Sequence, residues 1–281
     1  MRAVVITGST RGIGYGLAEA FLARGRPVVV SGRTAEGVER AVAALGRAHG
    51  PARVRGVRCD VTRADDVEAL WAAAADAFGG VDVWVNNAGA CNPTKGYADL
   101  AAAEIIGTVD ANVRGTMLGA WAAVRGMRRQ GGGQLFNMEG WGSRGEWSPG
   151  MTVYSATKRA VAHFTRGLVR ETRGTGVLVG TLGPGIVATD LLVDAWTGGP
   201  PEHWRRVRGL FRWVIDPPEP VCAWLADRVL ANTKTGVHFR WATPLRIGAR
   251  FLQPRYSRRN PLAGTALDTF GVEGAGVGRG A

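Results

Sequence analysis

Short runs of β-branched residues alternate with longer Ala-rich stretches that have helical spacing of apolar positions through the first two thirds of the chain. This alternation is typical of β-α-β units, in which crossover helices join parallel strands. It predicts an α/β fold with a doubly wound parallel sheet of about seven strands. The strands are expected at 3–7, 27–31, 53–59, 81–86, 134–138, 177–182 and 236–240, and the helices at 13–24, 35–49, 64–78, 100–129, 153–173 and 220–231.

The first predicted strand runs into a glycine-rich turn that opens a helix. Glycine lets the backbone turn sharply and approach a pyrophosphate, and a helix N-terminus offers free N–H groups. Any strand-to-helix turn can carry glycine, so an ordinary turn without a bound phosphate is the alternative. The candidate cofactor-binding residues here are Gly8, Ser9, Thr10, Arg11, Gly12, Ile13 and Gly14.

Arg33 follows the second predicted strand, where enzymes that use NAD usually place Asp or Glu to hold the ribose 2′-hydroxyl. Together with Arg11, its guanidinium can form a bidentate pair with a 2′-phosphate. The pattern therefore predicts NADPH as the cofactor. Two ordinary surface arginines are the alternative explanation.

Tyr154 and Lys158 lie four residues apart on a predicted helix, which puts the phenol and the ammonium on one face. A nearby ammonium favours the phenolate and lowers the pKa of the tyrosine. Tyr154 can then serve as general acid towards a carbonyl or as general base towards an alcohol. A Tyr-Lys pair at this spacing also occurs by chance on many helices.

Taken in order, these motifs resemble the short-chain dehydrogenase/reductase family, which implies a Rossmann fold. The resemblance implies that Lys158 also holds the nicotinamide ribose, and that Asn112 supports the structure and a proton relay; an exposed helical Asn is the alternative. It places Asp60 at the adenine and Thr189 at the nicotinamide carboxamide. The cofactor-binding residues that it adds are Asp60, Val61, Asn87, Ala88, Gly89, Pro184, Gly185, Val187 and Thr189, beside Arg33, Tyr154 and Lys158.

One departure from the family pattern follows the fifth predicted strand. Most members have a Ser there, about 13 residues before the Tyr, that hydrogen-bonds the reacting carbonyl; this chain has Gly140 and Trp141. Ser143 is the candidate replacement, since it can reach the site if the loop bends back. Glu139 is a second polar candidate.

The phrase Phe-Asn-Met-Glu-Gly-Trp-Gly-Ser at 136–143 resembles the chlorophyll b reductases, which also lack the usual Ser. This resemblance implies NADPH-dependent reduction of the 7-formyl group of chlorophyll b or chlorophyllide b. Substrates diverge readily on a shared scaffold, so an unrelated small or apolar carbonyl or alcohol is the alternative. Because the usual Ser is missing, a non-catalytic NADPH-binding regulator or scaffold is a second alternative.

Aromatic residues and arginines mark the last third of the chain. Trp196, Trp204, Phe211 and Trp213 fall in a loop at 190–218, where they either stack on a flat substrate or pack in a core. Residues 240–259 contain six Arg and no acid, which fits contact with an anionic membrane or a solvated or subunit-facing surface. Nucleic-acid binding is a less favoured class, because no recognition module accompanies the charge.

Composition and charge limit the remaining possibilities. The chain has 281 residues and a net charge of +12, and no apolar run is long enough to span a membrane. Its three Cys are far apart and form no C-x-x-C pair, which suggests neither a disulfide framework nor a zinc site. We predict a cytoplasmic protein without a metal site, peripheral to a membrane at most, that forms a homodimer or homotetramer through the long helices. The domains are predicted as a Rossmann domain at 1–240, a basic extension at 241–270 and a disordered Gly-rich tail at 271–281.

Overall fold

The computed structural model describes residues 1–271, so the predicted tail, apart from Gly271, lies outside the described residues. Seven strands form one sheet in which every neighbouring pair is parallel. The strands are β1 (Ala3–Ile6), β2 (Val28–Gly32), β3 (Val54–Arg58), β4 (Val81–Asn86), β5 (Gly133–Met138), β6 (Val177–Gly183) and β9 (Val237–Arg240). Their order in the sheet is β3-β2-β1-β4-β5-β6-β9, with crossovers on both sides of β1. The predicted doubly wound Rossmann sheet of seven strands is confirmed.

Helices cover both faces of this sheet, which is why β1 and β2 are apolar and fully buried along their length. On one face, Leu17 and Phe21 of α1 (Gly12–Ala23) pack with Leu45 of α2 (Ala35–His49) and Val221 of α9 (Pro218–Leu230). The opposite face is covered by α3 (Ala64–Phe78), α5 (Gly115–Gln130) and α6 (Thr152–Glu171).

The helix predicted at 100–129 is observed as one helical stretch from 102 to 130, with a π-helical turn in its middle that was not predicted. α4 (Ala102–Val109) leads into a π-helical turn at Asp110–Arg114, and α5 continues from Gly115. The wider turn points the side chain of Asn112 inward, where it is completely buried. Local helical periodicity does not reveal such a turn, since it depends on a partner elsewhere in the fold.

The loop predicted at 190–218 folds into α7 (Asp190–Thr197) and α8 (Pro201–Val214), framed by a small parallel pair, β7 (Ile186–Val187) and β8 (Ile215–Asp216). Trp204 and Phe211 are buried with ring centroids 5.1 Å apart, and they pack against Leu262 and Leu267. Substrate stacking by these two rings is therefore wrong, and the core-packing alternative holds for them.

The basic extension contains α10 (Pro244–Phe251), α11 (Pro254–Arg258) and α12 (Ala266–Thr269). Buried Asp216 accepts hydrogen bonds from Arg250 (2.5 Å), Arg259 (3.1 Å) and the Trp241 indole (2.7 Å). The guanidinium of Arg246 stacks 3.6 Å from the Trp241 ring centroid. Arg250 and Arg259 therefore attach the extension to the rest of the fold, whereas Arg246 is exposed and contacts Trp241 within the extension. The membrane contact at 240–259 stays a prediction.

No helix within residues 1–271 is long and apolar enough to cross a membrane. The same described residues contain no group of three or more His, Cys, Asp or Glu that could hold a metal ion.

Candidate active site

The predicted site residues lie in the loops that follow the first six strands, β1 to β6, and on the helices that carry Asn112, Tyr154 and Lys158. Ligands of doubly wound folds bind at the carboxyl edge of the sheet, beside the point where the strand order reverses. β1 and β4 flank that point here. The topology therefore builds one site from segments that are far apart in the sequence.

The loop after β1 is a tight turn in which glycine is required at several positions. Gly8 and Gly12 have φ values of +63° and +57°, in the region that favours glycine. A methyl group on Gly14 would lie 2.4 Å from the carbonyl oxygen of Gly8, so the helix can pass this close only without a side chain. Within residues 1–271 the Arg11 side chain caps none of the first N–H groups of α1, which leaves them available to an anion.

Three side chains hold this loop in place from within. Thr7 Oγ1 accepts hydrogen bonds from the backbone N–H groups of Asn87 and Ala88, both at 3.0 Å. Asn87 Nδ2 donates to the carbonyl oxygens of Thr7 (2.9 Å) and Gly8 (3.1 Å). Ser9 is buried, and its hydroxyl donates to the carbonyl oxygen of Ile6 (2.7 Å), so its side chain supports the loop from inside.

Two guanidinium groups lie at the predicted adenosine side. Arg33 is exposed after β2, and Arg58 Nε at the end of β3 donates to its carbonyl oxygen (3.2 Å). Asp60 Oδ1 accepts hydrogen bonds from the N–H and the hydroxyl of Thr62. Burial acts to raise the pKa of Asp60, but the bonds from Thr62 and the charge of Arg33 bring it below its usual value. Val61 is buried beside this carboxylate.

The segment after β6 crosses over the glycine loop. Thr189 approaches Gly12, where an added methyl group would lie 3.4 Å from Thr189 Cγ2. Arg11 pairs with Asp190 at 3.2 Å, and both side chains are about two-thirds exposed. Pro184 and Val187 are buried, and Gly185 turns the chain with a φ of +77°. Arg11 therefore already has a carboxylate partner, and Arg33 is the more available of the two predicted arginines.

Tyr154 and Lys158 lie in the first two turns of α6. Lys158 Nζ is 5.7 Å from the Tyr154 ring centroid and donates to the carbonyl oxygen of Met138 at the end of β5 (3.3 Å). Burial lowers the pKa of Lys158 to about 8, an effect that nearby Cys91 partly offsets. Burial raises the pKa of Tyr154 above its usual value, and Cys91 acts in the same direction. The predicted lowering of the tyrosine pKa is therefore wrong, because burial disfavours the charged phenolate.

Asn112 is buried, which rules out the exposed alternative. Its Nδ2 donates to the carbonyl oxygen of Ala90 and to Thr157 Oγ1, and its Oδ1 accepts from the N–H of Ala90, all at 2.9 Å. A methyl group on Gly89 would lie 2.8 Å from this Oδ1. Asn112 thus joins the loop after β4 to α6 one turn beyond Tyr154.

Ser143, the predicted replacement for the usual Ser, is buried in the loop after β5. Its Oγ accepts a hydrogen bond from the N–H of Gly140 (3.0 Å), and its carbonyl oxygen accepts from Arg159 (3.2 Å). The hydroxyl therefore closes a tight turn within its own loop. Gly140 lies at the site instead, since a methyl group there would be 2.5 Å from Tyr154 Oη.

Glu139, the second polar candidate, has its carboxylate bound to residues of the neighbouring strands. Its carboxylate accepts hydrogen bonds from the Thr181 hydroxyl (2.9 Å) and from Arg240 (3.2 Å), and His238 lies 3.5 Å away. With the side chain 8% exposed, this carboxylate connects the end of β5 to β6 and β9.

The sequence did not point to two residues of this region, Arg58 and Asn92. Asn92 lies on the loop after β4, and its side chain accepts a hydrogen bond from the backbone N–H of Tyr154 (3.1 Å). Neither residue gave a signal, because its partner is distant in the sequence.

Three comparisons place the chain among known proteins. The family model for short chain dehydrogenases matches residues 2–198. The chain is 43% identical over 202 residues to the chloroplastic chlorophyll(ide) b reductase NOL of Oryza sativa subsp. japonica, covering 69% of this chain and 58% of the relative. It is 37% identical over 238 residues to the chloroplastic chlorophyll(ide) b reductase NOL of Arabidopsis thaliana, covering 83% of this chain and 66% of the relative.

A similar fold is seen in the crystal structure of 3-ketoacyl-(acyl-carrier-protein) reductase from Brucella melitensis complexed with NADH. The TM-score is 0.74 and the identity 26%, with 85% of this chain and 96% of that chain covered.

Two qualifications follow from the plant relatives. The chain matches 58% and 66% of their lengths, so it spans less than two thirds of each. Both are chloroplastic proteins, and the cytoplasmic location that we expected is contradicted by them. The family itself is settled by the model match over most of the chain, together with the sheet order and the glycine loop. The chain belongs to the short-chain dehydrogenase family and is an oxidoreductase that resembles the chlorophyll(ide) b reductases.

Proposed function

We propose that this protein is an NADPH-dependent reductase that converts an aldehyde or ketone to an alcohol, with the 7-formyl group of chlorophyll b or chlorophyllide b as substrate. The observation that carries the proposal is the position of Tyr154 Oη beside Gly140, next to Lys158 and at the carboxyl edge of the sheet. A hydroxyl in this position faces the end of the strands where the family binds its cofactor and substrate.

Tyr154 acts as the proton donor. Because burial holds its pKa above the usual value, the phenol is protonated at neutral pH and ready to donate to the carbonyl oxygen. NADPH, when bound, supplies the hydride to the carbonyl carbon. Lys158 carries an ammonium that stabilises the phenolate left after proton transfer and donates to the nicotinamide ribose. Asn112 fixes the helix that carries both groups.

The cofactor is NADPH rather than NADH because the chain offers cations, not an acid, after β2. Arg33 is exposed there, and Arg58 lies against its backbone. The glycine loop holds the pyrophosphate at the start of α1. Asp60, Val61 and Gly89 would bound the adenosine side, and Thr189, which lies beside Gly12, would contact the nicotinamide half.

A flat macrocycle suits the aromatic side chains that remain exposed near Tyr154. With Trp204 and Phe211 buried, the loop after β5 supplies the candidates: Trp141 is 42% exposed and directly follows Gly140, and Trp147 is 66% exposed. Indole rings on a fixed loop favour stacking with a large planar ligand. The names of the plant relatives point to the same substrate.

A non-catalytic NADPH-binding regulator is the second candidate, favoured by one observation. The usual Ser is absent, and the oxygen of Ser143, the candidate replacement, accepts a hydrogen bond from the N–H of Gly140 within its own loop. The Tyr154→Phe variant separates the two functions. Loss of turnover with NADPH binding intact supports the reductase, whereas unchanged biological activity supports the regulator.

A homodimer or homotetramer fits the exposed apolar side chains of the long helices. Ile106 on α4 is 58% exposed, and Met117 and Trp121 on α5 are 39% and 38% exposed. A second copy would cover them. Sedimentation equilibrium of the wild type and of Trp121→Ser tests this: the variant should dissociate, and an unchanged mass would exclude this surface.

The experiment that tests the function is NADPH oxidation with chlorophyllide b, aromatic aldehydes and apolar ketones, with NADH as the cofactor control. Turnover with chlorophyllide b alone supports both reaction and substrate. Turnover with small carbonyls alone keeps the reductase and removes the pigment. No turnover, together with tight NADPH binding, favours the regulator.

A further inference from the structure

Asn92 is buried at the start of the candidate catalytic helix, with only 1% of its surface exposed. Its Oδ1 accepts a hydrogen bond from the backbone N–H of Tyr154 (3.1 Å). Its Nδ2 donates to the carbonyl oxygens of Gly150 (2.9 Å) and Pro93 (2.8 Å). Both hydrogens of the amide and its oxygen are thus used, and the side chain can hold only one orientation.

The start of α6 needs such an acceptor from elsewhere. The helix begins at Thr152, directly after Met151, whose thioether caps no N–H group among residues 1–271. Tyr154 is the third helical residue, and the N–H at that position is the one that an N-cap side chain normally binds. Asn92 fills this role from a segment 62 residues earlier in the chain.

The contact between the two loops is also tight in the backbone. Gly150 has a φ of +77°, and a methyl group there would lie 2.6 Å from the carbonyl carbon of Thr94. Cys91, the neighbour of Asn92, is close enough to Tyr154 and Lys158 to influence both charges. The side-chain amide of Asn92 therefore joins three segments: the loop after β4, the loop after β5 and the first turn of α6.

We propose that Asn92 is a positioning residue for the reaction: it caps the catalytic helix from the loop after β4 and so fixes where the Tyr154 hydroxyl stands. This inference rests on the proposed function of Tyr154 as proton donor. Small displacements of a reacting group lower the rate more than they lower binding. Loss of the cap should therefore lower kcat and change KM for the substrate little.

Two substitutions separate the cap from simple loop support. Asn92→Ala removes all three hydrogen bonds, whereas Asn92→Asp keeps an acceptor for the Tyr154 N–H and loses both donors. We expect kcat to fall about tenfold or more in Asn92→Ala and to recover at least partly in Asn92→Asp. Asn232→Ala is the matched control, since Asn232 Nδ2 also donates two bonds, to Gln134 and Lys234, at the other end of the sheet.

The second readout is hydrogen–deuterium exchange of a peptide that spans the start of α6. It should exchange faster in Asn92→Ala than in the wild type, and near the wild-type rate in Asn92→Asp. Equal loss of kcat in both variants would overturn the cap and leave loop support, as would unchanged exchange in Asn92→Ala. If the wild type turns over no carbonyl, the proposed function fails, and the exchange comparison alone decides whether Asn92 caps the helix.

Discussion

Gly140 and the Tyr154 hydroxyl are in direct contact: a methyl group on Gly140 would stand 2.5 Å from Tyr154 Oη, and 3.2 Å from Lys158 Cε. Most family members have a Ser in this part of the loop. In this chain the Tyr154 hydroxyl occupies the space that a side chain at position 140 would need. This loop is held by the Ser143 turn and by Glu146, whose carboxylate accepts from the N–H of Gly142 (3.2 Å). The contact explains why the residue here is Gly.

The variant Gly140→Ala should therefore damage the site without unfolding the protein. We expect kcat to fall at least about tenfold, because Tyr154 Oη must move to admit the methyl group. Gly167→Ala is the matched control. Gly167 lies on α6, the helix that carries Tyr154, and a methyl group there would have no heavy atom within 4 Å. Its stability should stay the same or rise, by at most about 1 kcal/mol. Equal kcat in both variants would contradict the contact.

Arg33 should determine the choice of cofactor. A charge-assisted hydrogen bond contributes about 1.5–3 kcal/mol, so Arg33→Ala should raise the Kd for NADPH about tenfold or more and leave the Kd for NADH almost unchanged. Fluorescence titration measures both constants. Arg55→Ala, an exposed arginine of the neighbouring strand, serves as control. A loss that is equal for NADPH and NADH would mean that Arg33 does not recognise the 2′-phosphate.

Lys158 should make the free energy of unfolding depend on pH in the alkaline range. Its pKa is about 8 in the folded protein and near 10.5 when unfolded, so the unfolded chain binds more protons between these values. The contribution of Lys158 to the free energy of unfolding should accordingly rise as the pH goes from about 8 to 10. Burial raises the pKa values of Cys59, Cys91 and Cys222 to about 12 and that of Tyr154 above its usual value, and these groups act in the opposite sense. Urea denaturation should therefore show a difference between two proteins: the wild type gains free energy of unfolding relative to Lys158→Met as the pH rises from about 8 to 10, and a difference that does not change with pH would refute it.

Arg250 should be a major source of stability in the last third of the chain. Its side chain is 3% exposed and pairs with Asp216, which is 7% exposed. Breaking a buried ion pair from one side costs about 3–5 kcal/mol, and Arg250→Met should lie near the lower value because Arg259 still contacts Asp216. Exposed Arg208→Ala should change stability by less than about 0.5 kcal/mol. If the two variants unfold at the same urea concentration, the ion pair is not stabilising.

The sequence predicted the sheet well because its signals are local. Strands such as β4 are buried runs of apolar residues between turns, and the bounds predicted for β4 match those observed. The glycine turn and the Tyr-Lys spacing are likewise contained in a few consecutive residues. Such patterns depend on no distant partner, which is why they can be recognised before the fold is known.

The sequence did not show contacts between residues that are distant in the chain. Nothing near Asn112 in sequence indicates that it bonds Ala90 or that it lies in a π-helical turn. Ser143 was a candidate by its distance from Tyr154, and its bond with the N–H of Gly140 could not be foreseen. The arginines of the extension look like a free basic segment until buried Asp216 is placed beside them.

The most direct test of the central claim is the transfer of deuterium from NADPH labelled at the nicotinamide C4. Purified protein would be incubated with labelled NADPH and chlorophyllide b, and the product analysed by mass spectrometry. The account predicts a 7-hydroxymethyl product that carries one deuterium on the new alcohol carbon, formed by the wild type and reduced at least about a hundredfold in Tyr154→Phe. Product formation at the same rate in Tyr154→Phe, or no labelled product from a wild type that binds NADPH tightly, would contradict it.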